Sequence, residues 1–346
     1  MNVSEITFDR PKDLEATRPP EERGLARDDV RLLLSRGGAE EHYRFRDLPS
    51  LLASGDLLVI NESATVPAAL PAVAEFGEFV VHLSTRYGPQ LWLAEPRWSA
   101  SRPGPLPLRP GARLRVAGVE TRVVAPFPGI PRLLFLTFDE ALEPTMHEQG
   151  RPIRYGYLDR DYPLERYQTV FARSPGSAEM PSAGRPFSFS LLAALREHGI
   201  EHAPIVLHTG VSSLEVDGPT LASAPLYPEP FEVPPATATA FARCRQRGGR
   251  VVAVGTTVVR ALESAWNGER IVAAAGFTRL FVHPGRPPRA FDGLLTGFHD
   301  SRSSHLALLC AVAGTAEMHR AYRVAIDSGY LWHEFGDSHL ILPYAH

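Results

Sequence analysis

Residues 248–264, Gly-Gly-Arg-Val-Val-Ala-Val-Gly-Thr-Thr-Val-Val-Arg-Ala-Leu-Glu-Ser, carry the side chains and spacing of an anion-binding turn. The β-branched run 250–254 has the character of a buried strand. Gly255 lets the backbone turn tightly after it. Thr256 and Thr257 are suited to cap the helix expected over 258–266, packed by Val258, Val259, Leu262 and Trp266. A helix that starts straight after a strand offers free N–H groups and a positive dipole end to a carboxylate or phosphate. Arg260 follows the threonines by three to four positions on the same helical face, where it is placed to clamp the same anion. An ordinary strand-to-helix crossover with a surface arginine fits this spacing equally well.

Other residues suited to chemistry lie at the ends of apolar runs. His208 closes 203–210 and His299 closes 291–299, within Thr296-Gly-Phe-His. Both places suit an acid or base, and both also suit a histidine satisfied by backbone partners. Glu229 sits in a Pro-rich loop as a further acid–base candidate or a solvated loop acid. Arg166, Tyr167 and Gln168 offer a charge, a stacking ring and an amide, unless they simply form a helix surface. Asp337, in Phe-Gly-Asp, is placed to bind a hydroxyl or to close a turn. His333, Glu334, Asp337 and His339 crowd together but match no recognised ligand motif, so no metal is expected. Arg243, Arg245, Arg247 and Arg250 spread around a helix end instead of forming one basic stripe.

The elements that must position these residues alternate in character along the chain. Between about 68 and 150, short apolar runs (79–83, 90–94, 113–116, 121–124, 132–136) alternate with Gly and Pro turns, the texture of a small all-β barrel. On either side, strand-like and helix-like segments mix. The fold class expected is a mixed-sheet α/β domain with an inserted β-barrel: residues 1–68 plus 150–346 as one discontinuous domain, 69–149 as the insertion. Strands are expected over 30–34, 43–45, 55–61, 277–283 and 334–342, and helices over 190–198, 235–247, 304–314 and 317–328.

Composition excludes several classes. A hydrophobic share of 44% and a charged share of 22% are those of a globular protein. The net charge of -3 supplies no general field for nucleic acid, so an RNA partner would need a local patch. Lys12 is the sole lysine among 36 basic residues, and arginine favours bidentate oxyanion contacts. Two cysteines, Cys244 and Cys310, make no disulfide or zinc framework. The first residues lack an apolar signal core, and the longest apolar run, 306–313, is too short to span a bilayer; a cytoplasmic protein is expected. Nothing in the sequence sets the oligomeric state.

Eight segments, taken in order, give the chain a resemblance to a known family. They are 55–61, 166–171, 181–187 (with Gly184), 207–210, 255–264, Pro284-Gly285, 294–299 and 335–342. Together they resemble the S-adenosylmethionine:tRNA ribosyltransferase-isomerase family of queuosine biosynthesis. The resemblance implies an α/β domain with an inserted β-barrel and S-adenosylmethionine as co-substrate. It implies transfer and isomerisation of the ribosyl moiety onto a deazaguanine base in tRNA, with release of adenine and methionine. It further implies that Gly255, Thr256, Thr257, Arg260, Arg166, Tyr167, Gln168, Gly184, Thr296 and Asp337 hold the donor, and that His208, Glu229 and His299 are its acid–base candidates.

The chain also departs from the family pattern at several points. Where the pattern has Leu-His-Phe, this chain has Arg185-Pro186-Phe187; Ala64 and Ala69 stand where arginines are expected; Leu207–Leu214 and Thr296–Ser303 are rewritten. These changes leave open a paralogue that acts on a small-molecule acceptor, or cleaves the donor by elimination, without tRNA. A non-catalytic binding protein on the same scaffold is a third expectation, disfavoured by the retention of Thr256, Thr257 and Arg260.

Overall fold

The computed structural model describes residues 3–100, 102–211 and 226–342. Of the rewritten stretch 207–214, Ser212, Ser213 and Leu214 lie outside the described residues.

Strands buried on both faces dominate one sheet. β1 (Arg31–Arg36), β2 (Ala39–Arg44) and β3 (Leu57–Asn61) belong to it. A short ribbon pairs β4 (Ser63–Thr65) in parallel with β11 (Ser174–Ser177). The large sheet continues with β12 (Glu201–Leu207), β13 (Glu229–Val233), β14 (Val251–Val254), β15 (Ala274–Thr278), β16 (Gly293–Gly297) and β17 (Ser338–Leu342). Its order is β15-β13-β12-β3-β14-β16-β17-β1-β2. The central neighbours β12, β3, β14 and β16 run parallel, flanked by antiparallel pairs. The apolar content follows from that geometry: a central parallel strand meets packed helices above and below. Leu57, Val59, Val251 and Ala253 join one core, with α4 (Pro235–Gln246), α5 (Thr256–Ala265), α6 (Ser304–Ala313) and α7 (Thr315–Asp327). Leu58, Ile60, Val252 and Val254 turn to the other face, against α1 (Leu48–Leu51) and α3 (Phe189–Glu197).

The segment with Gly and Pro turns closes into a barrel, β10-β7-β6-β5-β8-β9. Its strands are β5 (Ala69–Ala74), β6 (Gly77–Arg86), β7 (Leu91–Arg97), β8 (Arg113–Val116), β9 (Val119–Phe127) and β10 (Ile130–Phe138), with α2 (Glu143–Gln149) leading out. Leu70, Val81, Leu83, Leu93, Val116 and Leu136 fill it and are fully buried. β5, Ala-Leu-Pro-Ala-Val-Ala, is not among the runs expected from sequence, because alanine and proline carry weak strand propensity. Among the described residues no helix is long and apolar enough to cross a membrane.

Two expectations about local structure are corrected. The helix after β14 begins at Thr256, two residues earlier than expected, with Gly255 as its N-cap and no side-chain cap. Gly255 has φ 98°, so the chain turns within one residue and both threonines are already helical. The strand expected over 277–283 ends at Thr278, whose hydroxyl accepts the Leu280 N–H at 3.1 Å and turns the chain off the sheet.

Candidate active site

Parallel strands all point their carboxyl ends to one edge, and ligands of such sheets bind there. Here that edge opens into a cleft of about 470 Å³. After β14 come Gly255, Thr256 and Thr257; after β16 come Phe298, His299, Asp300, Ser301 and Ser303; Thr209 follows β12 and Thr65 ends β4. The segment after β11 adds Glu179, Met180 and Ser182. Tyr155, Tyr157, Tyr167, His333 and Glu334 supply the remaining wall.

Charge in the cleft is one-sided. Glu15, Glu179, Asp300 and Glu334 line it, and among the described residues no lysine or arginine does. Tyr155 donates its hydroxyl to Glu179, and Tyr157 donates to Glu334. Burial raises the Glu334 carboxyl above its ordinary range, partly countered by the Tyr157 bond. Tyr157 stacks on His333 at 4.1 Å with the rings 8° from parallel, and on Tyr155 at 6.1 Å. His333 has φ 73°, a conformation that costs a non-glycine residue energy and that is found at functional sites.

The imidazoles are held neutral. Burial pushes His299 well below 6.5, with His305, His333 and His339 adding repulsion. Burial, with Arg260 nearby, takes His305 down to about 4. Their rings lie 4.7 Å apart, and His299 Nε2 shares a hydrogen bond with Thr296 Oγ1 at 3.0 Å. A neutral imidazole in a cleft is able to accept a proton.

Of the residues picked from sequence, the structure brings Gly255, Thr256, Thr257, Thr296, His299 and Tyr167 to this cleft. The others do not line it, and each has another partner. Arg260 stands outside the cleft lining, and its guanidinium binds Glu229 and the carbonyls of Leu280 (3.1 Å) and Thr278 (3.4 Å). Glu229 is thereby consumed; its second oxygen accepts the Gly210 N–H at 2.7 Å. His208 Nδ1 pairs with Ser63 Oγ at 2.7 Å, its ring packed so close to Gly176 that a Cβ there would lie 2.7 Å away. Arg166 reaches Glu22 at 3.1 Å. Gln168 bridges both backbone groups of Thr65 (2.8 and 3.1 Å). Gly184 packs beneath Phe171 and Thr169. Asp337 accepts the N–H groups of Arg31 and Leu331, both at 2.8 Å, and so closes a turn. The departure at Arg185 has a structural role: the buried guanidinium binds Glu21 (2.7 Å) and the Arg166 carbonyl (3.0 Å) and lies over Phe335.

The crowded histidines near the end do not converge. His339 is buried against Phe298 and bonded to Ser35 at 2.8 Å, whereas His333 stacks on Tyr157. Among the described residues no group of three or more His, Cys, Asp or Glu is arranged to hold a metal ion. Sequence reasoning missed Tyr155, Tyr157, Glu179 and His305. The alternation Tyr155-Gly-Tyr157 was the available signal, since residues two apart share a side of an extended chain.

The Glu229–Arg260 pair predicts a stability effect. Glu229→Ala strands a largely buried guanidinium and the Gly210 N–H, an expected loss of about 3–5 kcal/mol. Urea unfolding measures it, and the double variant Glu229→Met/Arg260→Met recovers most of the loss. A single-variant loss under about 1 kcal/mol contradicts the pairing.

Fold and site define an α/β enzyme with an accessory barrel and a carboxylate-lined cleft. A family model described as a queuosine biosynthesis protein matches residues 3–341. A protein of Anaeromyxobacter sp. (strain Fw109-5) named S-adenosylmethionine:tRNA ribosyltransferase-isomerase is 41% identical over 355 residues, spanning 99% of each chain. One of Acidithiobacillus ferrooxidans with the same name is 37% identical over 349 residues, spanning 100% of this chain and 99% of that one. The solved structure of an S-adenosylmethionine tRNA ribosyltransferase from Thermotoga maritima is similar with a TM-score of 0.55 and 26% identity, over 98% of this chain and 100% of that one. This chain belongs to the queuosine biosynthesis family of S-adenosylmethionine:tRNA ribosyltransferase-isomerases.

Proposed function

We propose that the enzyme transfers the ribosyl part of S-adenosylmethionine onto an aminomethyl-deazaguanine base in tRNA and isomerises it, releasing adenine and methionine. The observation that carries this is the charge of the cleft. S-adenosylmethionine has a permanent sulfonium cation, and four lining carboxylates with no lysine or arginine among the described lining residues favour such a guest. Its methionine carboxylate finds a partner in the first turn of α5, where Gly255, Thr256 and Thr257 meet the cleft. That assignment replaces the Arg260 clamp with backbone N–H groups.

The sulfonium acidifies adjacent C–H bonds, so the reaction opens with removal of a proton next to sulfur. Neutral His299, steadied by Thr296, takes the role of base. As that proton leaves, a carbon–carbon double bond forms beside sulfur, the ring C–O bond breaks to give an aldehyde, and adenine departs with the C–N electron pair. The acceptor amine then adds to the double bond and gives up a proton. The sulfur-stabilised carbanion closes a carbocycle on the aldehyde, and the alkoxide so formed displaces methionine as an epoxide closes. Tyr155, Tyr157 and Tyr167 supply ring faces for a nucleobase and keep water from the reactive intermediate.

The relatives' names support tRNA as acceptor and give no support to a small-molecule alternative. The test is incubation with S-adenosylmethionine, with and without tRNA that carries the precursor base. Adenine and methionine are expected in equal amounts and only with tRNA. Release without tRNA would overturn the acceptor; no release under either condition would overturn the reaction.

A further inference from the structure

We infer that Glu334, held against the ring of Tyr157, is the residue that makes the cleft prefer a sulfonium to a neutral thioether. The inference rests on the donor proposed above and names the side chains that read its charge. A sulfonium has no N–H or O–H to donate, so a site recognises it through negative charge and aromatic faces alone. Four carboxylates line the cleft, but they are not equivalent. Glu15 and Asp300 both bind Arg10, at 3.3 and 3.1 Å, which offsets their charge. Glu179 is held by Tyr155 on the side of the segment that follows β11. Glu334 forms no ion pair among the described residues; its partner is the Tyr157 hydroxyl, which donates to the carboxyl without cancelling its charge.

Consecutive residues secure the same ring. His333 stacks on one face of Tyr157 while Glu334 holds its hydroxyl. The left-handed backbone at His333 is what lets two neighbouring side chains reach one partner. The assembly places an aromatic face and an unneutralised carboxyl side by side on the cleft wall. Burial raises the Glu334 carboxyl above its ordinary range, and a cation beside it acts in the opposite direction.

Two nucleosides separate charge from shape: S-adenosylmethionine and S-adenosylhomocysteine, its neutral thioether counterpart. Calorimetry on the full chain is expected to show wild type favouring the sulfonium by at least about tenfold. Glu334→Gln, of nearly equal size, is expected to abolish most of that preference and leave S-adenosylhomocysteine affinity within about twofold, which also reports an intact fold. Tyr157→Leu, which removes the ring face and keeps the acid, is expected to lower the same ratio. A preference unchanged in both variants overturns the role of Glu334 while leaving the donor standing. Failure of wild type to bind either nucleoside overturns the donor itself and the inference with it.

Discussion

His299→Asn is expected to lower kcat by about 10²–10⁴-fold, the usual contribution of a positioned general base. The shorter amide keeps polar contact with Thr296 but has no basic nitrogen. Donor affinity is expected to change little, so the loss appears in kcat and not in the calorimetric Kd for S-adenosylmethionine. The pH profile carries a second check. Burial and the neighbouring histidines hold His299 well below 6.5, so its basic form persists as the medium is acidified. Protonation sets in only as pH falls through that lowered value, so the acid limb of kcat/KM attributable to this group lies well under pH 6.5. An acid limb at or above 6.5, or a variant with nearly full kcat, assigns the proton transfer to another residue; His305, 4.7 Å away, is the first alternative.

Gly255→Val is expected to weaken S-adenosylmethionine binding by about 10–100-fold. Two independent constraints act at this position. With φ 98°, the backbone is in a region that a β-branched residue enters only with strain of about 1–3 kcal/mol. A Cβ would also lie 3.2 Å from the Ala183 Cβ, across a seam where neither neighbour is a flexible side chain. Relief requires the first turn of α5 to move, and with it the N–H groups assigned to the methionine carboxylate. The measurement is donor affinity together with thermal unfolding. Weakened binding with a modest drop in Tm locates the effect at the turn; unchanged affinity removes the first turn of α5 from the donor site.

The two positions follow neighbouring strands, β14 and β16, and the Gly255 N–H donates to the Leu295 carbonyl of β16 at 2.8 Å. With adjoining strands, the two substitutions are expected to couple in stability as well as in activity, where both act on one bound nucleoside.

The sequence by itself determined what rests on local repetition. Alternating apolar runs with Gly and Pro turns specify a small barrel, because strand period and turn chemistry are written in neighbouring residues. The turn at Gly255 was legible for the same reason: one residue without a Cβ between a β-branched run and an apolar helix. His299 and Thr296 were legible as the end of a buried strand.

Only the tertiary structure decided which of the charged residues are free for a ligand. Arg260 has the spacing of a clamp, yet Glu229, thirty-one positions away, occupies it. Asp337 and Gln168 look like ligand groups in one dimension and satisfy backbone N–H and carbonyl groups in three. Glu334, which looked like a metal candidate beside His333 and His339, faces the cleft, while His339 is sealed against Phe298. The physical reason is common to all of them. A charged or amide side chain left in a folded interior must find its partner, that partner is set by long-range packing, and whatever charge remains unpaired is what a substrate meets.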